Sequence, residues 1–198
     1  MILTIAVSKG RLFSWSLQFI RMVGVLTNYD ATSRNLVFQS SDPKVLVFNL
    51  KASDVPFSVL EQLSDIGFAG GDVIGDCGFM PLVSYPLDPN SCSVAVASQS
   101  EDRQKGRNLV VATKYIKTAK IFVGTAARIK LVKLNGAVEA SPPLKLSDAI
   151  LDIVSTGNTL KANGLVLLKR IVLVPFCVIH NTKLKKENKK RLGCWLFC

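Results

Sequence analysis

The sequence predicts an α/β protein made of two domains. Short apolar runs, such as residues 2–7, 45–50 and 66–69, alternate with stretches in which apolar residues recur at helical spacing, and this alternation predicts a mainly parallel sheet. Around Pro86–Asn90 the composition turns to Pro, Asp, Asn and Ser, which is typical of a crossing between domains. A second series of strand-like runs follows this crossing.

Local signals predict the elements of the first domain in order. Residues 2–7 form a strand that ends at a Ser-Lys-Gly-Arg turn. The helix after this turn is indicated by apolar residues at helical spacing: Leu12, Trp15, Phe19, Ile20 and Val23. Residues 45–50 form a second strand, and Asp54 and Pro56 open a short helix that extends to Leu63. A third strand, residues 66–69, runs into Gly70-Gly71-Asp72.

Apolar runs also predict the elements of the second domain. The strands are expected at 94–97, 109–112, 129–134 and 149–154, with a helix at 114–123. Two further runs, 165–168 and 171–179, are expected to carry the chain back into the first domain. We therefore assign residues 1–89 plus 171–198 to a discontinuous domain I and residues 90–170 to domain II.

The composition is that of a globular protein without a membrane span. The 198 residues are 48% hydrophobic, which is enough to bury a core and too apolar for a disordered chain. The apolar stretch 165–179 is interrupted by Lys169, Arg170 and Pro175, and it is shorter than the roughly 20 residues of a membrane-spanning helix. Residues 1–7 show no secretory signal, so we expect a cytoplasmic location.

Cysteine and histidine are too sparse to favour metal or imidazole chemistry. The 5 cysteines are an odd number and form no Cys-x-x-Cys pair, which favours reduced, structural thiols. His180 is the only histidine, so no second histidine completes a zinc-binding spacing. Catalysis by this chain is therefore expected to proceed without imidazole.

The formal net charge of +11 favours acidic partners, which include nucleic acid, membrane surfaces and phosphorylated small molecules. Part of this charge lies in the tail 183–191, which has little aromatic content for base stacking and is expected to be a solvated helix face. Other cations stand singly beside glycines and hydroxyls, as sites for small phosphorylated molecules require. We expect neither a membrane nor a nucleic-acid partner, and salt-dependent nucleic-acid binding by the tail is an alternative.

The segment 148–160 carries the strongest chemical signal. An apolar strand ends in a hydroxyl-rich turn, 155–159, and then enters a short helix. Backbone amides, a helix N-terminus and hydroxyl groups all bind phosphate, and Gly157 allows close approach of the backbone. Asp152, at the strand end, could accept hydrogen bonds from ribose hydroxyls or help hold Mg²⁺. An ordinary capped turn has the same composition, so the turn alone leaves both interpretations open.

This turn resembles the phosphoribosyl pyrophosphate loop of the ATP phosphoribosyltransferases. The shared pattern is an acid, two aliphatic residues, two hydroxyls, Gly, any residue and Thr, and it is matched by Asp152, Ile153, Val154, Ser155, Thr156, Gly157, Asn158 and Thr159. It also overlaps the loop of type I phosphoribosyltransferases, which usually carry two adjacent acids. In this chain Leu151 occupies the first of those two places.

Further segments, in the same order as in the short-form enzymes of the family, strengthen the resemblance. They are 5–12, Ser33-Arg34, Asp54-Val55-Pro56, 65–72, 111–115 and 134–139, and the similarity extends to about residue 182. The resemblance implies two α/β domains like the type II periplasmic binding proteins, with the active site in the interdomain cleft. It implies a glycosyltransferase that joins N1 of the adenine of ATP to phosphoribosyl pyrophosphate, with Mg²⁺, at the first step of histidine biosynthesis.

The resemblance also implies roles for single residues. Catalytic roles are implied for Arg34, Lys9 and Asp152, phosphoribosyl pyrophosphate binding for Asp152–Thr159, and ATP binding for Lys9, Gly10, Arg11, Lys51 and Asp72. Glu139 is implied as a metal ligand.

Three positions depart from the family pattern: Lys51, Ser93 and Lys145, the last of which replaces a common glycine. Lys51 stands where arginine is usual, which would replace a bidentate phosphate contact with a point charge. Ser93 also stands where the family often has arginine.

The resemblance implies partners as well. The chain has no room for the regulatory domain of the long-form enzymes, so we expect a separate regulatory subunit similar to histidyl-tRNA synthetase, in a hetero-octamer. A homodimer of catalytic subunits is expected, with contacts from exposed apolar residues among the final ten. Two other functions stay open: a non-catalytic cleft-type protein that binds a solute or nucleotide, and a type I phosphoribosyltransferase-like enzyme.

Overall fold

The structure is a computed structural model in which the chain divides into two compact units. Unit 1 comprises Met1–Leu87 and Phe176–Cys198, and unit 2 comprises Asp88–Pro175. The residues described are 2–10, 12–29, 35–78, 82–99, 108–123 and 128–197. The predicted division, with the Lys-Gly-Arg turn in domain I, the turn 155–159 in domain II and boundaries at 89/90 and 170/171, stays a prediction.

Helices and strands alternate along most of the chain. Unit 1 contains β1 (Leu3–Ser8), α1 (Phe13–Met22), β2 (Val37–Gln39), β3 (Val45–Leu50), α2 (Asp54–Leu60), β4 (Ile66–Gly70) and α3 (Gly71–Cys77). The long strand β5 (Leu82–Ser98) enters unit 2, which continues with β6 (Leu109–Thr113), α4 (Ile116–Val123), β7 (Ile129–Lys133), the 3₁₀ helix η1 (Val138–Ala140), β8 (Ala149–Val154) and α5 (Asn158–Ala162). The chain returns to unit 1 through β9 (Val166–Asn181) and ends in α6 (Lys186–Phe197).

The sheet of unit 1 is parallel at its centre and antiparallel at its outer strands. Its strand order is β2-β3-β1-β4-β9. Strand β1 is parallel to β3 and β4, with Ser8 paired to Leu50 and Val7 to Phe68. Strands β2 and β9 are antiparallel to their neighbours. The carboxyl ends of the three parallel strands therefore lie along one edge of this sheet.

The core of unit 1 covers both faces of β1. Leu3, Ile5, Ala6 and Val7 are fully buried without the alternation of a half-exposed strand, which is typical of a central parallel strand with cover on each side. The C-terminal helix α6 contributes to this core through Leu192, with Trp195 and Leu196 packed against it. Leu192 is buried and Trp195 and Leu196 are only partly buried, so dimer contacts from the final ten residues stay a prediction.

Unit 2 has its own series of paired strands and its own cores. The strand order is β5-β8-β6-β7, in which β6 is parallel to β7 and β8, whereas β5 is antiparallel to β8. Two apolar clusters pack in this unit, one containing Ile150 and Leu160 and the other Leu151 and Val174. Because consecutive residues of β8 enter different clusters, this strand is held on both faces.

Three features of the chain differ from the sequence prediction. The boundary between the units falls after Leu87, inside the predicted crossing Pro86–Asn90, but this segment was not predicted as a strand and lies inside the continuous strand β5, since proline and asparagine can occupy extended backbone. The two runs predicted at 165–168 and 171–179 form the single strand β9, because the cations between them are exposed. Helix α3 was not predicted, since Gly71 and Gly75 lower its helix propensity.

Candidate active site

The loop after β8 follows one of the best-anchored strands of unit 2. Ile150 and Leu151 of β8 are each 1% exposed, and Leu160 fixes the helix after the loop by burying its side chain. We call residues 155–159 the β8 loop. At its centre Gly157 has φ of 81°, a left-handed conformation that disfavours other residues. The loop is thus a defined turn between two fixed elements.

The polar groups of the β8 loop face solvent. Ser155, Thr156, Asn158 and Thr159 are all exposed. The Asn158 amide donates to Thr156 Oγ1 over 3.4 Å, whereas the amides of Thr156 and Gly157 donate to no acceptor among the described residues. Helix α5 spans only 5 residues, so its dipole is small, and the loop can offer an anion mainly its amides and hydroxyls.

Asp152 lies in β8, two residues before the strand ends. Its residue is partly buried, and Oδ1 accepts a hydrogen bond of 2.8 Å from the amide of Ile153. Opposite it in the antiparallel strand stands Ala95, a small residue. The carboxylate is therefore held close to the backbone beside the β8 loop.

Arg170 reaches the same strand end from β9 and was not predicted as a site residue. Its Nη1 donates to Ser93 Oγ and, over 3.3 Å, to the carbonyl of Val154. Its Nη2 donates to the carbonyl of Ser155 over 3.2 Å. Ser93 is 1% exposed. The position at which the family often has arginine therefore holds a buried serine, whose hydroxyl accepts a hydrogen bond from Arg170.

In unit 1, predicted site residues follow the carboxyl ends of adjacent parallel strands. The Lys9 amide donates to the carbonyl of Leu50 over 2.7 Å, which ties the turn after β1 to the end of β3. Lys9 and Lys51 are both exposed, and Gly10 has φ of 90°. We call Lys9, Gly10 and Lys51 the cationic edge of unit 1.

Asp72 lies in the first turn of α3, directly after β4. It is 9% exposed, and a Cβ on Gly70 would collide with its Oδ1, so glycine is required for the close approach of this carboxylate. Arg11 and Arg34, the two other predicted cations, lie outside the described residues.

The described residues contain no group of three carboxylate, histidine or cysteine side chains arranged to hold a metal ion. Glu139, the predicted metal ligand, is partly buried in the 3₁₀ helix η1. A Mg²⁺ ion bound mainly by substrate phosphates needs only one or two protein carboxylates. Glu139 alone therefore fits a metal that arrives with its substrate.

His180 and the cysteines have structural surroundings. His180 is buried, its Nδ1 lies 2.7 Å from the carbonyl of Asn181, and its ring stacks on Tyr85 at 5.8 Å. Among the described residues, Cys77, Cys92, Cys177 and Cys194 form no disulfide. Burial raises the pKa of Cys177, which keeps that thiol protonated and unreactive.

The comparison with known proteins shows the family to which the chain belongs. Residues 51–196 match the family model HisG, described as ATP phosphoribosyltransferase. The chain belongs to the ATP phosphoribosyltransferase family. A family member from Cupriavidus necator is 39% identical over 200 residues, covering 96% of this chain and 89% of the relative. One from Clostridioides difficile is 38% identical over 182 residues, covering 90% and 88%.

Solved structures agree with the ATP phosphoribosyltransferase fold. The ATP phosphoribosyl transferase (HisG:HisZ) complex from Thermotoga maritima gives a TM-score of 0.81 at 25% identity, covering 98% of this chain and 95% of that chain. The periplasmic VFT2 domain of Bordetella pertussis BvgS gives a TM-score of 0.61 at 10% identity, covering 99% and 87%, and shows the fold alone. The predicted two-domain fold of the type II periplasmic-binding-protein kind is therefore confirmed.

Membership of the ATP phosphoribosyltransferase family also confirms the predicted enzyme class. The chain is a glycosyltransferase of histidine biosynthesis, and this function is favoured over solute binding and over a type I phosphoribosyltransferase. None of the helices in the described ranges is long and apolar enough to cross a membrane.

Proposed function

We propose that the β8 loop binds the 5-phosphate of phosphoribosyl pyrophosphate during its condensation with ATP. The observation that carries this proposal is that the family pattern falls on a turn whose Thr156 and Gly157 amides have no acceptor among the described residues. These amides and the hydroxyls of Ser155, Thr156 and Thr159 are exposed donors around a glycine of positive φ. A phosphate dianion accepts hydrogen bonds from such a set at little cost in backbone rearrangement.

Asp152 is proposed to accept hydrogen bonds from the ribose hydroxyls. Its Oδ1 already accepts from the Ile153 amide, which fixes the carboxylate next to the loop. Ribose bound in this way would have its C1 held in one orientation relative to the anchored 5-phosphate. Positioning of this kind contributes to catalysis without a proton-transfer group, as a chain with a single histidine requires.

The cationic edge of unit 1 is proposed to bind the phosphates of ATP. Lys9 and Lys51 are exposed, follow neighbouring strand ends and have no carboxylate partner among the described residues. Gly10 and Asp72 are proposed to contact ATP from the same edge, and Arg11 and Arg34 stay assigned by resemblance. Of these residues, Lys9 and Arg34 are proposed to act in catalysis.

The reaction forms a bond between N1 of adenine and C1 of ribose, while the bond from C1 to the pyrophosphate oxygen breaks. Negative charge grows on the leaving pyrophosphate, so cations near it lower the barrier. Mg²⁺, when bound, neutralises part of this charge, with Glu139 as a proposed protein ligand. Since the adenine N1 lone pair attacks directly, no residue has to remove a proton first.

A partner and a location are proposed as well. Since the solved relative from Thermotoga maritima is a HisG:HisZ complex, we propose a HisZ-like regulatory subunit, similar to histidyl-tRNA synthetase, in a hetero-octamer with this chain. A homodimer of catalytic subunits and a cytoplasmic location are further proposals. Co-purification of the chain with a candidate regulatory subunit, followed by mass determination, tests the assembly.

The experiment that tests the activity follows formation of phosphoribosyl-ATP and pyrophosphate from both substrates with Mg²⁺, with and without the candidate regulatory subunit. Thr159→Ala removes a loop hydroxyl, and Thr182→Ala, a matched control, removes an exposed hydroxyl outside the loop. We expect Thr159→Ala to lose most activity and Thr182→Ala to keep it. Full turnover by Thr159→Ala, or no product from the unmodified chain under either condition, would contradict the proposal.

A further inference from the structure

Arg170 makes contacts that are unusual for a cation in a strand. Its guanidinium donates to two consecutive backbone carbonyls, Val154 and Ser155, and to the hydroxyl of Ser93. Ser93 Oγ also lies 3.4 Å from the Val154 carbonyl, so the three groups form one network. All of these residues belong to unit 2, and the network closes around the last residue of β8.

The geometry of the peptide bond gives these contacts a consequence for the β8 loop. In a planar trans peptide the carbonyl of one residue and the amide N–H of the next point in opposite directions. Arg170 holds the carbonyls of Val154 and Ser155 towards itself. The amides of Ser155 and Thr156 therefore point away from Arg170. If either peptide plane rotated, a carbonyl oxygen would turn towards the place where an anion is to bind.

We propose that Arg170 is a positioning residue that fixes these two peptide planes, so that the amides of Ser155 and Thr156 are presented to the 5-phosphate of phosphoribosyl pyrophosphate. This inference rests on the proposed role of the β8 loop and adds the group that holds the loop in its binding conformation. Arg170 acts through the backbone, and its guanidinium is satisfied by protein acceptors.

The chemistry of the guanidinium explains why arginine suits this position. Its planar fork carries five N–H donors in fixed directions, so one group can hold two carbonyls and a hydroxyl at the same time. A lysine ammonium is a point charge on a flexible stem and does not impose the same geometry.

Lys169 offers a matched control. It is adjacent in β9, exposed and equally charged, and it has no hydrogen bond or ion pair with the described residues. Because alternate residues of a strand point to opposite faces, its side chain does not share the direction of Arg170. Lys169→Ala therefore removes the same charge from the same strand without touching the network.

The test uses the full chain and two probes, ribose 5-phosphate and inorganic pyrophosphate, with binding measured by calorimetry and substrate KM values measured in the assay. We expect Arg170→Ala to weaken ribose 5-phosphate binding about tenfold, the effect of losing one hydrogen bond from a misaligned loop amide to the phosphate, and to raise the KM of phosphoribosyl pyrophosphate similarly. Pyrophosphate binding, the KM of ATP and the melting temperature should change little. Lys169→Ala should bind both probes like the unmodified chain.

Two further variants separate the possible failures. Arg170→Lys keeps the charge and should remain weakened; full affinity in this variant would overturn the positioning role. If Thr159→Ala binds ribose 5-phosphate normally, the proposed function of the loop fails. If Thr159→Ala loses that binding while Arg170→Ala keeps it, only the inference about Arg170 fails.

Discussion

The β8 loop of unit 2 and the turn after β1 in unit 1 begin alike and then differ. Each follows a buried strand and contains a glycine of positive φ, 81° at Gly157 and 90° at Gly10. The β8 loop then offers amides and hydroxyls held by backbone geometry, whereas the cationic edge offers the flexible, exposed side chains of Lys9 and Lys51. A chain can therefore offer a phosphate either backbone donors in fixed positions or flexible side chains that carry positive charge.

The β8 loop and the cationic edge should respond differently to substitutions and to salt. Fixed donors lose binding sharply when their geometry is altered, and short-range hydrogen bonds are little screened by salt. Exposed ammonium groups attract a phosphate together with neighbouring cations. Salt screens this attraction, with a Debye length of about 8 Å at physiological concentration. Substitutions in the β8 loop should thus have large, specific effects, and those in the cationic edge smaller and salt-dependent ones.

The largest effect is expected for Asp152→Asn. The substitution preserves the shape of the side chain but removes the charge that would face the ribose hydroxyls and the developing ribosyl cation. We expect kcat to fall about 100-fold, as for loss of one group that stabilises a transition state. Steady-state assays measure this, with Glu187→Gln, an exposed carboxylate of α6, as the control. A kcat within twofold of the unmodified chain would remove Asp152 from the mechanism.

A second substitution tests whether backbone geometry matters in the β8 loop. Gly157→Ala leaves room for the Cβ, with only Val154 at 4.0 Å, but it strains a left-handed residue by about 1–2 kcal/mol. Gly164→Ala carries the same kind of strain, at φ of 67°, outside the loop. We expect both variants to lose similar stability, and only Gly157→Ala to raise the KM of phosphoribosyl pyrophosphate, about tenfold. An equal effect of both on KM would mean that general destabilisation is the cause.

The cationic edge should show moderate effects that depend on salt. We expect Lys51→Arg to lower the KM of ATP about threefold, since a guanidinium forms bidentate contacts with phosphate, and Lys9→Ala to raise it by a similar factor. Both differences should shrink as salt is raised from low to physiological concentration. The KM of ATP across a salt series measures this. Effects on KM that do not depend on salt would show that the cationic edge binds ATP by fixed geometry, as the β8 loop is proposed to bind its phosphate.

The smallest effect is expected away from both loops, where Asp42 pairs with Arg191 of α6. A hydrogen bond from the Lys44 amide and the Arg191 guanidinium lower the pKa of Asp42. A carboxyl with a depressed pKa in the folded state stabilises the protein above its unfolded pKa, and this contribution is lost as the pH falls through the folded pKa. Asp42→Asn should therefore lower the melting temperature slightly at neutral pH and make no difference in acid, with unchanged KM values.

Two strands of mainly apolar sequence were predictable to the residue. The bounds predicted for β3 and β8, 45–50 and 149–154, are those of the structure, because each apolar run is bounded by polar residues. The extended course of Pro86–Asn90 was not predictable, since its composition is that of a turn.

Only part of the site could be predicted from the sequence. The β8 loop was recognisable because its residues are consecutive. Arg170 was not, because its bond to Ser93 spans 77 residues, and an isolated cation in a strand suggests a solvated side chain. Contacts of this kind depend on strand pairing and register, which local patterns do not fix.

The central claim is that the amides of the β8 loop receive the 5-phosphate of phosphoribosyl pyrophosphate. Hydrogen–deuterium exchange of the full chain, with and without phosphoribosyl pyrophosphate and Mg²⁺, tests this claim most directly. The account predicts that the substrate slows exchange in the peptide spanning residues 153–160, whose Thr156 and Gly157 amides have no acceptor among the described residues. Saturating substrate that slows exchange elsewhere and leaves this peptide unchanged would contradict it.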